Sequence, residues 1–430
     1  MKKFGTICCL AILAAWNGVE GARKRQPKVL LFLVDGLRWD YTDERRHHGF
    51  WTTGMLGVRA DHLTPVTPAI SYPNWYSLVT GLYTEDHGIV GNYMYDPQRD
   101  AYFTMSSSES MEPHWWNQAE PLWVTALRRN KTVAMHWWDG CQVDFNGTRP
   151  NVCTGYKGTW SRVNSEMKDL VEKSLVAMKK GFLDMAMFYY EGPDSKGHGY
   201  GPDSMTTRKA VDDFDWILDS VHTQVRRLGI IDQVNIVIVS DHGMTKTTKD
   251  DIKTIDMDSL LNADDIHIML DKGPFSMLFP KADKVFQVYH SLKRKQVEGF
   301  TVYLKEEIPD AWRFKRNRNV GPILLVADVG YYIVPFGNPE KSVPGPGKPP
   351  SGTHGYASSF PDMWGIFYGS GPAIVPSSGR VPALIMVDVY NVLCYMLGLE
   401  PKRNSGSWAR VESFLDPAYD PGLYETLRKM

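Results

Sequence analysis

The sequence predicts an α/β fold, a doubly wound and mostly parallel sheet that carries a smaller α+β insertion. Three observations lead there. Residues 28–34, 184–190 and 234–239 are nearly continuous apolar runs, the pattern of strands buried on both faces. Two amphipathic segments alternate with them: Met167, Leu170, Val171, Leu175 and Met178 share a face of the first, and Val211, Phe214, Leu218, Val221, Val225 and Leu228 line the second, which Gly229 stops. Acidic and histidine residues follow each apolar run, and parallel sheets of this kind bind ligands beyond the carboxyl ends of their strands.

In chain order, Lys2 and Lys3, an apolar run over 7–16 and the small residues Gly18, Gly21 and Ala22 predict a secretory signal over 1–22 and an extracellular destination. That run is too short to span a bilayer. Residues 23–430 then read as one large domain, since 43% hydrophobic and 23% charged residues in a 430-residue chain are enough to bury a large core. A formal net charge of −1 excludes a general nucleic-acid binder. The basic runs Arg23-Lys24-Arg25 and Lys293-Arg294-Lys295 are expected at the solvated surface.

After the first strand comes Ile70-Ser71-Tyr72-Pro73-Asn74-Trp75, ahead of a helical segment expected over 75–79. Ser71 reads either as an N-cap or as a nucleophile held where helix N–H groups gather. Asn130-Lys131-Thr132 and Asn146-Gly147-Thr148 are glycosylation triplets that agree with secretion. Cys141 and Cys153 are near enough in sequence to close a small disulfide loop, and Cys394 is left as a buried thiol in a C-terminal helix. Beyond His242 the pattern shortens, with strands at 273–280 and 301–304, a helix near 284–293 and a hairpin-like stretch at 323–334. Residues 246–334 are therefore the expected insertion over one edge of the sheet. A Pro/Gly loop at 344–350 delivers Gly352-Thr353-His354-Gly355, then 364–368 is expected to be a core strand and 387–399 a closing helix. The last residues carry no hydrophobic tail, so neither a membrane span nor a lipid anchor is expected.

Asp35, Asp194, His198, Asp241, His242 and His354 all fall after strand ends or in loops beside them. Singly, such an aspartate caps a turn and such a histidine packs in a core. Together, three Asp and three His make an N/O ligand set suited to zinc. Two ions about 4 Å apart clamp an in-line phosphoryl displacement. With Ser71 as nucleophile, such a site needs no adjacent general base, and within ten positions of Ser71 the sequence offers no histidine but His62.

Val34-Asp35-Gly36, Thr67 through Asn74, Gly91-Asn92-Tyr93-Met94, Asp194 with His198, Ser240-Asp241-His242-Gly243-Met244 and Thr353-His354-Gly355 form an ordered set. This set resembles the nucleotide pyrophosphatase/phosphodiesterase family of the alkaline phosphatase superfamily, over about residues 28–411. The resemblance implies an alkaline-phosphatase-type sheet and two Zn2+ per chain. It assigns one ion to Asp194, His198 and His354, and the other to Asp35, Ser71, Asp241 and His242. It gives Asn92 and the Ser71 backbone N–H the non-bridging phosphate oxygens.

Within that family, Ser71 together with Asn92-Tyr93-Met94-Tyr95-Asp96-Pro97, Trp115-Trp116-Asn117 and Glu120-Pro121-Leu122-Trp123 is most similar to the branch that cleaves choline phosphodiesters. Tyr156 and Tyr189 match that branch's choline pocket, where ring faces hold a quaternary ammonium that cannot donate a hydrogen bond. The expectation is a choline phosphodiesterase that releases phosphocholine from glycerophosphocholine or lysophosphatidylcholine through a phospho-serine intermediate, touching membrane lipid peripherally. The alternatives are a nucleotide pyrophosphatase/phosphodiesterase and a catalytically silent choline-lipid-binding ectodomain. A sulfatase is disfavoured because the Ser71 run lacks the arginine its motif requires. Ser413 stands where the choline branch leads one to expect a cysteine, so a disulfide-linked homodimer has no C-terminal cysteine to support it.

Overall fold

Aliphatic residues fill 28–34 and 234–239 almost throughout, and Met, Ala and aromatic residues fill 185–190, because these strands are buried along their whole length. The computed structural model describes residues 27–156, 160–248 and 252–429; the expected signal segment, with Cys8 and Cys9, and Arg23-Lys24-Arg25 lie outside the described residues. An eight-stranded sheet is formed by β1 (Lys28–Val34), β2 (Val58–Ala60), β3 (Val133–His136), β4 (Val152–Thr154), β5 (Met185–Tyr190), β6 (Val234–Val239), β7 (Phe367–Ser370) and β8 (Gly379–Val381). Their order is β8-β2-β7-β6-β1-β5-β3-β4. β1 is central and every residue of it is buried. Each fully buried Leu or Phe there stabilises the fold by about 1.5–3 kcal/mol.

From β6 through β1, β5 and β3 to β4 the strands are parallel. β7 runs antiparallel to both β6 and β2, so the sheet is mixed on that side. The strand expected at 364–368 starts at Phe367 instead. Gly365 exchanges backbone hydrogen bonds of 2.9 Å each way with Leu63, and Trp364 stacks on His62 with ring centroids 3.7 Å apart, so this stretch belongs to a different partner.

Helices cover the sheet as the periodicity requires. They are α1 (Ser71–Thr80), α2 (Trp160–Lys179), α3 (Gly192–Tyr200), α4 (Met205–Leu228) and α5 (Val389–Leu397). The Ser204 hydroxyl accepts a hydrogen bond from the Thr207 N–H at the start of α4, and Gly229 ends that helix in the left-handed conformation at φ 66°. Phe214 of α4 meets Phe32 of β1 edge-on at 5.7 Å. α5 closes the molecule with all nine residues buried, and burial pushes its Cys394 thiol up to about 12.

The later part of the chain builds a five-stranded sheet, in the order 300–304, 323–327, 275–280, 266–270, 342–343. It has its own apolar cluster, including Ile266, Leu278, Val288, Leu292 and Leu325. Ser342–Val343 lies past the expected 334 boundary. The stretch 323–334 is not a hairpin. Ile323–Ala327 already has antiparallel neighbours on both edges, so Tyr331–Val334 pairs in parallel with Lys253–Asp256 instead. Arg313 Nε, 2.9 Å from Glu85 Oε1, and Asn317 Nδ2, 3.1 Å from the Glu85 carbonyl, tie this layer to the main body. Lys293, Arg294 and Lys295 are exposed in the last turn of its helix, Val285–Lys295. Among the described residues no helix is long and apolar enough to cross a membrane.

Candidate active site

Register alone brings the acidic residues together. Val34 pairs with Tyr190 and Leu33 with Val239, so β1, β5 and β6 end level, and Asp35, Glu191 and Ser240-Asp241-His242 emerge along one edge. Gly36 has φ +64°, and a Cβ there would lie 2.8 Å from the Asp194 Cα. Only glycine lets the chain turn this close to α3, where the Asp194 N–H donates to the Asp35 carbonyl at 3.1 Å. Asp194 and His198 sit one turn apart on α3, and His354 follows the short strand Gly352–Thr353, which pairs with Thr245–Lys246.

All three histidines use Nδ1 on a backbone carbonyl: His198 on Gly352 at 2.7 Å, His242 on Gly243 at 2.9 Å and His354 on Ala69 at 3.1 Å. In the tautomer that donates these bonds, every Nε2 presents a lone pair to the centre. His198 Nε2 and His354 Nε2 lie 3.2 Å apart, and Asp194 Oδ1 is 3.4 Å from each. His242 Nε2 lies 3.4 Å from Asp35 Oδ1, and its ring stacks on His354 at 3.6 Å. Asp35 Oδ1 and Asp194 Oδ1 are buried oxygens without a hydrogen-bond partner.

Burial, reinforced by Asp241 and Asp194, drives the Asp35 carboxyl well above the carboxylate range, and burial likewise raises Asp241. Burial, then His242 and His198, drive His354 well below the usual imidazole value. Facing lone pairs and orphaned carboxylate oxygens are what bound cations would satisfy, and the donor set is the N/O set of zinc. Potential ligand atoms fall into two sets, Asp194–His198–His354 and Asp35–Asp194–His242. Asp194 thus stands in both, where the resemblance assigned it to one. Asp241 is in neither set: Oδ1 accepts from the Gly36 and His242 N–H groups, and Oδ2 accepts from the Trp75 indole at 2.6 Å and lies 3.5 Å from His242 Nε2.

Ser71 is the first residue of α1 rather than its cap, and the helix begins four residues before the expected 75. Ile70 is the N-cap, with φ −131° and ψ 165°. The reason is Asn74, whose Oδ1 accepts from the Val66 N–H at 2.7 Å while Nδ2 donates to the Pro68 and Ile70 carbonyls at 3.0 and 2.9 Å. These bonds clamp the entering loop so that the chain is helical from Ser71, and proline in the first turn costs no hydrogen bond. The Ser71 hydroxyl is therefore free of capping duty and lies 3.3 Å from His242 Nε2. Asn92 Oδ1 accepts from the Tyr72 N–H at 3.0 Å, which leaves its amide N–H groups to donate into the pocket it lines.

That pocket encloses about 320 Å³. Opposite the imidazoles its wall is aromatic and acidic: Trp137, Tyr156 and Tyr189 with Asp139 and Glu191. Tyr156 donates to Glu191, and the Tyr189 hydroxyl donates to Asp35 Oδ2 at 2.6 Å; their rings meet edge-on at 6.0 Å. Burial raises both the Glu191 and the Asp139 carboxyls. Asp139 accepts from the Tyr72 hydroxyl, which in turn accepts from the Ser106 N–H at 3.0 Å. Cys141 and Cys153 form a disulfide, with Cα atoms 5.6 Å apart, that fastens the Trp137–Asp139 loop to β4.

Asn130 and Asn146 lie away from the pocket, exposed and in left-handed turns at φ 59° and 55°. Glu191, Asp139 and Trp75 were missed from sequence. Glu191 directly follows β5 as Asp35 follows β1, so the strand-end signal could have found it. Trp75 and Asp139 carry no such signal.

Residues 29–357 match the family described as Type I phosphodiesterase / nucleotide pyrophosphatase. Ectonucleotide pyrophosphatase/phosphodiesterase family member 5 of Homo sapiens is 32% identical over 394 residues, 91% of this chain and 79% of that protein. The bis(5'-adenosyl)-triphosphatase of Homo sapiens is 32% identical over 394 residues, 90% of this chain and 82% of that one. Among solved structures, the murine family member 5, an inactive variant in complex with AMP, superposes with a TM-score of 0.82 at 32% identity, covering 91% of this chain and 100% of that one.

Proposed function

The chain belongs to the type I phosphodiesterase/nucleotide pyrophosphatase family, and on that premise we propose that it hydrolyses small-molecule phosphodiesters or phosphoanhydrides at Ser71. One observation carries the reading: the Ser71 hydroxyl, uncommitted to capping, lies at the head of a buried helix 3.3 Å from His242 Nε2, in the pocket also lined by Asp35 and Asp194, whose Oδ1 atoms lack a partner. Ser71 Oγ forms the bond to phosphorus as the bond to the leaving oxygen breaks. Water then cleaves the Oγ–P ester, which releases the phosphate-bearing product and restores the hydroxyl. The Asn92 amide and the Ser71 backbone N–H hold the non-bridging oxygens. Asp194, His198 and His354 would hold one zinc, and Asp35, Asp241, His242 and Ser71 the second; Asp194 belongs to both sets of potential ligand atoms. Zinc held there would supply Lewis-acid chemistry, lowering the Ser71 hydroxyl pKa and neutralising charge on the phosphoryl and leaving oxygens. The disulfide and the two glycosylation triplets support a secreted protein.

For the group carried on phosphorus, the relatives favour a nucleotide, since one is a bis(5'-adenosyl)-triphosphatase and another was solved with AMP. The pocket lining supports a second reading, a choline phosphodiester such as glycerophosphocholine or lysophosphatidylcholine. Aromatic faces suit a nucleobase and a quaternary ammonium alike, so the rings do not decide. Glu191 and Asp139, with no Lys or Arg among the described lining residues, suit a cation and repel a polyphosphate tail.

Ser71→Ala lowers kcat by roughly 10³-fold or more with the fold intact; full turnover in that variant refutes the nucleophile. A panel of diadenosine triphosphate, ATP, glycerophosphocholine and lysophosphatidylcholine, with identification of the phosphate product, separates the substrates. Turnover of none of the four by zinc-loaded protein favours a silent binding protein.

A further inference from the structure

Two aromatic side chains line the pocket that holds the candidate metal residues, and each donates a hydrogen bond to a carboxylate of that group. Trp75 is buried on α1, one turn after Ser71, and its indole N–H donates to Asp241 Oδ2 at 2.6 Å. Tyr189 is buried at the end of β5, and its hydroxyl donates to Asp35 Oδ2 at 2.6 Å. The two rings meet edge-on at 4.8 Å, and both line the pocket. Trp75 also stacks on Tyr72 at 4.7 Å. In each case the polar tip occupies one carboxylate oxygen. For Asp35, that leaves Oδ1 as the oxygen without a partner, turned toward His242 Nε2.

We propose that Trp75 and Tyr189 are paired positioning residues: their N–H and O–H groups orient Asp241 and Asp35 for metal binding, and Trp75 also fixes the nucleophile's helix to the Asp241-His242 pair. The inference rests on the proposed assignment of Asp35 and Asp241 as metal ligands. Its physical basis is the restriction of a carboxylate's rotation. Asp241 is held by Gly36 and His242 N–H groups on one oxygen and by the hydrogen bond from Trp75 on the other, which also lies 3.5 Å from His242 Nε2. Asp35 accepts its side-chain hydrogen bond from Tyr189. Remove either donor and the carboxylate swings, leaving a buried oxygen unsatisfied. Partners of this kind, outside the ligands themselves, typically govern metal affinity by 10–100-fold.

Because Trp75 shares α1 with Ser71, its loss also frees the helix to drift from His242, so kcat falls more than KM rises. Tyr189 shows the opposite balance of surfaces. Its ring survives conversion to phenylalanine with nearly the same volume, so the pocket wall stays and only the donor goes.

The test compares wild-type, Trp75→Phe and Tyr189→Phe after chelation, by zinc titration followed calorimetrically, with circular dichroism confirming the fold. Both variants are expected to bind zinc on the order of 10–100-fold more weakly, and kcat falls in both while KM changes less than threefold, a split that a loss of pocket shape does not produce. Should W75F fail to fold, Y189F decides alone, since it changes a single oxygen. Zinc affinity within twofold of wild type in a folded Y189F, or a change confined to KM, overturns the proposal. If wild-type protein itself binds no zinc, the underlying assignment of the metal centre fails instead.

Discussion

The two walls of the pocket are built by partly different means. In the wall of carboxylates and imidazoles, the register of two long, fully buried strands sets Asp35, Asp241 and His242 side by side, while Asp194 and His198 come from α3 after β5 and His354 from the end of a two-residue strand. The aromatic and acidic wall is mixed: Tyr189 and Glu191 stand at the end of β5, whereas Trp137, Asp139 and Tyr156 lie in the loops after β3 and the short edge strand β4, held by a disulfide and by side-chain hydrogen bonds such as Tyr72 to Asp139. A rigid sheet edge suits groups that must meet to within a few tenths of an ångström. The loop residues after β3 and β4 can be exchanged without moving the strand ends, so variation in substrate choice is expected there rather than at Tyr189, whose hydroxyl donates to Asp35.

The comparison breaks most visibly at Asp194, the one carboxylate shared by both ligand sets. Asp194→Asn is expected to lose bound metal from both sets and to lower kcat by roughly 10²–10³-fold. Elemental analysis of the purified variant checks this, and full zinc content would show that the two sets do not depend on each other.

A smaller effect is expected across the pocket. With Glu191→Gln, KM for a choline diester rises roughly tenfold, which corresponds to the loss of about 1.4 kcal/mol of cation binding, and kcat is nearly unchanged. Burial already lifts the Glu191 carboxyl above its ordinary range. As pH falls through that raised range the wild-type group takes up a proton and loses its charge, so KM for a cationic substrate rises; the glutamine variant lacks this pH dependence. A pH series of KM for both proteins decides the point, and identical profiles would remove Glu191 from cation binding.

The smallest effect on turnover is expected at the disulfide. Paired Cys141→Ser and Cys153→Ser changes cost about 2–4 kcal/mol of stability, read as a lower Tm. They change KM by a few-fold and leave kcat within twofold, because the bond fastens only the loop wall. A fall in kcat matching that of the Asp194 variant would show that the two walls are not independent.

Much of this molecule was legible in the chain. Hydrophobic runs marked β1, β5 and β6, because strands buried on both faces can tolerate little else. Amphipathic periods marked α2 and α4, because one face of each covers the sheet. Of the Asp and His residues singled out in the sequence, Asp35, Asp194, His198 and His354 line the pocket. The antiparallel strand β7 and the false hairpin at 323–334 were not legible, because which edge a strand pairs with depends on neighbours distant in sequence.

The start of α1 shows where that boundary lies. By itself the sequence determined that a serine would meet the beginning of a helix, through local propensity and a proline tolerated in the first turn. Only the tertiary structure decided that Ser71 is not the cap: Asn74 fastens the loop before it, and His242 arrives from 171 positions away. Likewise, nothing local distinguishes Trp75 from a core tryptophan; its hydrogen bond to Asp241 exists because packing carries α1 across the end of β6. Propensity and burial act over a few residues and can be read along the chain, whereas a hydrogen bond between distant side chains depends on how the whole core closes.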